Sequence, residues 1–147
     1  MRFTLDSNVL IYAHDRSDAR RHRRALDLVD RAAGADCILL LQCLAEYFKV
    51  AITNLGKAPS EARAAQARWR RVFPVFHANP QTFDDAIDAV EAHRLGFWDA
   101  MIWAAAREAG CRAILSEDMQ DGRVIGGVHI VNPFDPANAA SIDGLFA

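Results

Sequence analysis

The sequence predicts an α/β fold with a mainly parallel central sheet flanked by helices. Three observations predict it. Short β-prone runs alternate with stretches of helical periodicity along the whole chain. The run CILLL, Cys37 to Leu41, is continuously apolar, as in strands buried on both faces of a parallel sheet. No Asn-Gly type hairpin signal separates two apolar runs, so strand pairs joined by tight turns are not expected. With 147 residues, 52% of them hydrophobic, residues 1–147 are expected to form one domain with a substantial core.

The elements follow in order. Arg2 to Leu5 is a short β-prone run that ends at Asp6, with Ser7 and Asn8 in the turn after it. Ala19 to Ala33 carries Ala25, Leu28, Val29 and Ala32 at helical spacing, and CILLL is the second strand. Leu44, Phe48, Ala51, Ile52 and Leu55 form one face of a helix that Gly56 should stop. Pro59 and Ser60 open another helix to about Phe73, where Pro74 breaks it, and Val75 to His77 is a third strand. Pro80 to Leu95 reads as a helix closed by Gly96. Asp99 to Gly110, DAMIWAAAREAG, is apolar nearly all round and therefore predicts a central buried helix. Arg112 to Leu115 and Val128 to Val131 are strands on either side of a polar loop, Glu117 to Gly127, and the tail from Asp135 carries at most a short helix.

Composition excludes several classes. No window approaches the ~18 uncharged apolar residues of a membrane span, and MRFTLDSNVL has no long apolar run behind a basic start. A cytoplasmic location without a membrane partner is the expectation. Cys37, Cys43 and Cys111 lack C-x-x-C spacing and read as buried thiols, and the five histidines form no H-E-x-x-H pattern. The net charge of −2 is not that of a strongly basic nucleic-acid binder, yet five arginines fall between Arg16 and Arg24. A second basic stretch holds Arg63, Arg68, Arg70 and Arg71 around Trp69, whose ring could stack on a base. Both stretches also read as solvated helix faces.

In a parallel α/β domain, strand C-termini and helix N-termini share one sheet edge, where ligands bind. Asp6 follows the first strand, Asp118 follows AILS, Asp99 opens the buried helix, and Glu46 lies about one turn into the helix after the second strand. Four carboxylates distant in sequence can therefore converge. Acids gathered without basic partners repel unless a cation lies among them, and hard divalent cations, Mg2+ or Mn2+, prefer oxygen ligands. That is a setting for phosphodiester hydrolysis. Each acid also has a plainer reading: Asp6 and Asp99 as caps, Asp118 and Asp121 as loop residues, and Glu46, nearly opposite the Leu44/Phe48 face, as a solvated side chain.

LDSNVLIYAHD at Leu5 to Asp15, FWDAMIWAAAREAGC ending at Cys111, ILSEDMQDG at Ile114 to Gly122 and HIVNPF at His129 to Phe134 together resemble PIN domains, in the branch of the VapC toxins. The resemblance implies a PIN-like three-layer sandwich and a metal-dependent endoribonuclease, the toxin of a toxin–antitoxin pair. It maps the acidic cluster onto Asp6, Glu46, Asp99 and Asp118, as catalytic residues and Mg2+ or Mn2+ ligands. Ser7 or Asn8 would hold the Asp6 carboxylate or a bound water. The loop offers Asp121 as a fourth ligand in place of Asp118, or as a residue behind the ligands. It further implies an RNA substrate, a homodimer and a cognate antitoxin lying in an apolar groove, to which Tyr47, Phe48 and the Trp98 region could contribute.

Rival readings are weaker. A haloacid-dehalogenase-like phosphotransferase would carry D-x-D where this chain has Asp6 and Asn8, and Gly56-Lys57 is followed by Ala58 rather than the Ser or Thr of a P-loop. A non-catalytic PIN-like module that binds RNA or a protein is the alternative from a different class.

Overall fold

The computed structural model describes residues 1–147. Along the chain run β1 (Phe3–Leu5), α1 (Ser7–His14), α2 (Ala19–Ala32), β2 (Leu39–Leu40), α3 (Leu41–Thr53), α4 (Pro59–Val72) and β3 (Val75–Phe76). Then come α5 (Pro80–His93), α6 (Phe97–Glu108), β4 (Ala113–Leu115), β5 (Val124–Ile125), β6 (Val128–Val131), a 3-10 turn at Pro136–Asn138 and α7 (Ala139–Phe146). The principal sheet has the order β1-β4-β6-β5, parallel except for the edge strand β5. β2 and β3 form a parallel pair that joins β1 through a bridge from Phe3 to Cys37.

Alternation along these strands divides the interior into two cores and so makes three layers. Phe3, Leu5, Ala113 and Leu115 pack with Val9, Leu28, Tyr47 and Ile142, residues of α1, α2, α3 and α7. Ile114 and Ile130 point the other way, onto Trp103 and the alanines of α5 and α6. The buried α6 contributes Ala100, Ile102, Trp103, Ala104, Ala105 and Ala106, which is why its sequence is apolar on nearly all sides. The α/β architecture with a mainly parallel sheet is therefore as the sequence predicts.

Four local expectations are corrected. Ser7 to His14 is a helix rather than a turn, because Asp6 caps it and Val9 and Leu10 bury completely. CILLL contributes only Leu39–Leu40 to a strand, since Leu41 already starts α3. Gly96 does not close α5: Arg94 adopts the left-handed conformation (φ 55°) at its end, and Gly96 is the N-cap of α6. A tight hairpin does occur, β5 to β6 across Gly126-Gly127, whose φ values of 55° and 79° suit a two-residue turn that needs positive φ twice. No helix is long and apolar enough to cross a membrane.

Candidate acidic active site

The site is built where β1 and β4 end. The Asp6 N–H donates to the Leu115 carbonyl (2.9 Å) and the Ser116 N–H to the Val131 carbonyl (3.0 Å), so the ladder carries both residues to the same sheet edge. Asp6 is 3% exposed, and a carboxylate so buried needs donors. Its Oδ1 accepts from the Ser7 amide (2.7 Å) and the Cys43 thiol (3.6 Å), and its Oδ2 from the Ser116 hydroxyl (2.6 Å). The Asn8 side-chain amide lies 3.3 Å from Oδ2 of Asp6, Oγ of Ser116 and Oδ2 of Asp118. Asn8 Oδ1 in turn accepts from the Glu117 amide (3.2 Å), and Ser116 Oγ from the Asp118 and Met119 amides (both 3.2 Å). The loop after β4 is thus held against the first turn of α1, with Asp118 exposed at its tip.

Glu46 enters from α3. Periodicity places it opposite the apolar face, yet it is half-buried, because Oε2 accepts from the Ser7 hydroxyl (2.8 Å) and Oε1 from Gln42 (2.9 Å) one helical turn earlier. Gln42 Nε2 also donates to the Trp98 carbonyl (3.2 Å), which ties α3 to the first turn of α6. That turn carries Asp99. Gly96 rather than Asp99 occupies the N-cap, and the half-buried Asp99 carboxylate has no hydrogen-bond partner within the protein.

The four acids interact electrostatically. Burial raises the Asp6 carboxyl pKa, the Ser116 and Ser7 hydrogen bonds oppose that rise, and Glu46 and Asp118 add to it. The Asp99 carboxyl is also raised, first by burial and then by Glu46 and Asp118. None of the chain's ion pairs includes any of the four. No three His, Cys, Asp or Glu side chains close into a cage able to hold an ion unaided. The donor set nonetheless fits a hydrated hard cation, since Mg2+ keeps several waters and takes one or two carboxylates, and Asp99 is free of other bonds.

Other expected residues lie elsewhere. Asp121 is outside this network: its carboxylate accepts from the Asn132 amide (2.8 Å) and from Asn138 Nδ2 (3.1 Å), anchoring the loop to the C-terminal segment. Tyr47 is fully buried and Trp69 packs edge-on against it at 4.6 Å, so Tyr47 lines no groove and the Trp69 ring is partly covered. Phe48 lines an open cleft with Leu41 and Leu44, and Trp98 is 65% exposed. Ser116 and Gln42 escaped the sequence reading, whereas Cys43 is the buried thiol the sequence predicts and in addition donates to Asp6. Only Ser116 had a local signal, a serine whose hydroxyl can take the amides two and three residues on.

A three-layer α/β domain with unneutralised carboxylates at the ends of β1 and β4 has its acids at the sheet edge where parallel α/β folds bind ligands. The sequence profile of the PIN domain matches residues 3–122, and the chain belongs to the PIN domain family. Solved structures agree in fold. VapC20 of Mycobacterium tuberculosis, described as a sarcin–ricin loop cleaving toxin, is 22% identical with a TM-score of 0.65, over 79% of this chain and 89% of that one. A toxin–antitoxin complex from Klebsiella pneumoniae is 18% identical with a TM-score of 0.63, over 88% and 96% of the two chains. DNA-bound VapBC from Salmonella typhimurium is 20% identical with a TM-score of 0.62, over 90% and 98%. No curated protein sequence matches the chain.

Proposed function

We propose that this protein is a metal-dependent endoribonuclease, the toxin of a toxin–antitoxin pair, working as one PIN domain in the cytoplasm. The observation that carries the reading is Asp99, a half-buried carboxylate with no donor, facing Glu46 and Asp118 in a cluster without an ion-paired cation. Membership of the PIN domain family and likeness in fold to VapC toxins support it.

Asp99 and Asp118 are the carboxylates with most freedom to hold Mg2+ or Mn2+, and Asp6 and Glu46 complete the set. A bound ion supplies Lewis-acid chemistry and lowers the pKa of water for attack on a phosphodiester. Ser7 fixes Glu46 through its hydroxyl and Asp6 through its amide, and so holds two acids from different elements in one orientation. Asn8 does the same for Asp6 and Asp118. The cleft between Leu41, Leu44 and Phe48, on the same helix as Glu46, and Arg63, Gln66 and Arg70 suits an antitoxin segment with apolar and acidic side chains, and a homodimer accords with the VapC reading.

The test is cleavage of tRNA and ribosomal stem-loops by antitoxin-free protein, with and without Mg2+ or Mn2+, beside Asp6→Ala and Asp99→Asn. Metal-dependent cutting that both folded variants lose is the expected result. The rival is a PIN-like module that binds RNA or protein without cutting. Metal-independent binding of those RNAs with no cutting in any arm would establish that rival instead.

A further inference from the structure

The acidic site poses a problem for an RNA substrate. A chain of net charge −2 that gathers four carboxylates repels a polyanion, and binding needs cations beside the site. The arginines of α2 provide them. Arg20, Arg21 and Arg24 share one side of the helix and line a cleft of about 360 Å³ whose opposite wall contains Pro133 and Phe134.

The three arginines are not equivalent. Arg21 is fully engaged: its Nε and Nη2 grip both oxygens of Glu117 at 3.0 to 3.1 Å, and Nη1 pairs with Asp18 at 3.0 Å. Glu117 is the residue next to Asp118, so Arg21 fastens the cleft to the loop that forms one side of the acidic site. Arg24 spends Nε on the Pro133 carbonyl (2.9 Å) and Nη1 on Asp27 (3.2 Å), leaving Nη2 without a protein acceptor. Arg20 is exposed and makes no ion pair. Two acids also reach the cleft: Asp143 pairs with Arg31 (2.8 Å), while Asp135 accepts from the Ala137 amide (2.9 Å) and keeps its charge. Arg20, which has no ion pair, and Nη2 of Arg24 are therefore the cationic donors left open, in a concave space that Arg21 ties to the active-site loop through Glu117.

We propose that this cleft is a phosphate-binding subsite for the single-stranded RNA flanking the scissile bond, with Arg20 and Arg24 as the contacts and Arg21 as a positioning residue. The proposal rests on the ribonuclease reading for its substrate. Guanidinium forks match phosphate oxygens, whereas such contacts carry no sequence information, so the subsite serves affinity and register rather than choice of base.

The experiment measures binding of a fluorescein-labelled single-stranded RNA by the full-length Asp99→Asn protein, which separates binding from cutting, at several salt concentrations. Arg20→Ala and Arg24→Ala should each weaken binding roughly three- to tenfold on every RNA sequence tried, and lower the slope of log Kd against log salt by about 0.7. Arg71→Ala on α4 should leave the slope unchanged. Should Arg24→Ala lower the melting temperature, Arg20→Glu and the charge-retaining Arg24→Lys replace it, the first expected to weaken binding and the second to preserve it. Unchanged affinity and slope in the folded Arg20 variants would overturn the subsite, even if the wild type cuts RNA. A shifted slope with no cutting by the wild type would keep a phosphate-binding cleft but remove the nuclease reading, and with it the cleft's place beside a scissile bond. Loss of binding to a glutamate-rich peptide but not to RNA would assign the cleft to an acidic protein partner, which also overturns it.

Discussion

The hydroxyl of Ser7 donates to the carboxylate of Glu46 at 2.8 Å, across 39 residues of chain and between two helices. Through this contact the first turn after β1 decides where an otherwise solvent-facing glutamate points. In Ser7→Ala the amide bond to Asp6 persists and the hydroxyl is lost. Cleavage of a structured RNA by the metal-loaded protein should fall about tenfold, in line with the ~1.5 kcal/mol of a hydrogen bond to a charged group. The far-ultraviolet circular dichroism spectrum should be unchanged. Unaltered cleavage would show that Glu46 does not need this orientation.

Asp99→Asn should raise the melting temperature of the metal-free protein at pH 7. Burial, then Glu46 and Asp118, lift the Asp99 carboxyl above its ordinary value of 3.8. Between that value and the raised one the folded state binds more protons than the unfolded state, so stability falls as pH rises through the window. At neutral pH the whole penalty is present, and the amide removes it. The gain should vanish at about pH 3, where both states are protonated. Mg2+ should stabilise the wild type and have little effect on the variant, as read from melting curves with and without the ion.

Ser116→Ala removes a fully buried hydroxyl that donates to Asp6 and accepts from the amides of Asp118 and Met119. Stability should drop by about 2 kcal/mol in urea unfolding, the cost of stranding buried polar partners. Ser116 also opposes the rise of the Asp6 pKa, so its loss should move the acid limb of the pH–rate profile to higher pH. A purely structural serine would change stability and leave that limb in place.

In the β5–β6 turn, Gly126→Ala should cost more than Gly127→Ala. Both residues have positive φ, which costs an alanine ~1 kcal/mol or more. A Cβ at Gly126 would lie 3.0 Å from Cζ2 of Trp103, whose indole is buried and donates to the Ile125 carbonyl. At Gly127 the corresponding neighbour is Nη1 of the exposed Arg112, the far end of a flexible side chain that can swing away. Denaturant midpoints of the two variants would rank them, and equal midpoints would mean that Trp103 yields.

The β5–β6 hairpin has a local signal in the sequence, the glycine pair Gly126-Gly127 between Val124-Ile125 and Val128-His129. The misjudged end of α5 is different in kind. Arg94 takes a left-handed conformation that its residue type does not announce, and the nearby Gly96, a better stop by propensity, is used to begin α6 instead.

What the sequence by itself determined is the set of features that depend on local periodicity and chain order. Alternating strands and helices imply the parallel sheet, all-round apolarity implies the burial of α6, and strand ends imply one edge for Asp6 and Asp118. The tertiary structure alone decided which polar groups are held, and by what. Glu46 is drawn inward by Ser7 and Gln42 against its helical phase. Asp121 is turned away by Asn132 and Asn138, while Asp118, three residues earlier, is kept at the edge by Asn8. Periodicity reports apolar burial, which is a property of one helix or strand at a time. The buried Asp6 carboxylate is placed by donors 1 to 110 residues away, and the distant ones, Cys43 and Ser116, reach it only once the layers have packed.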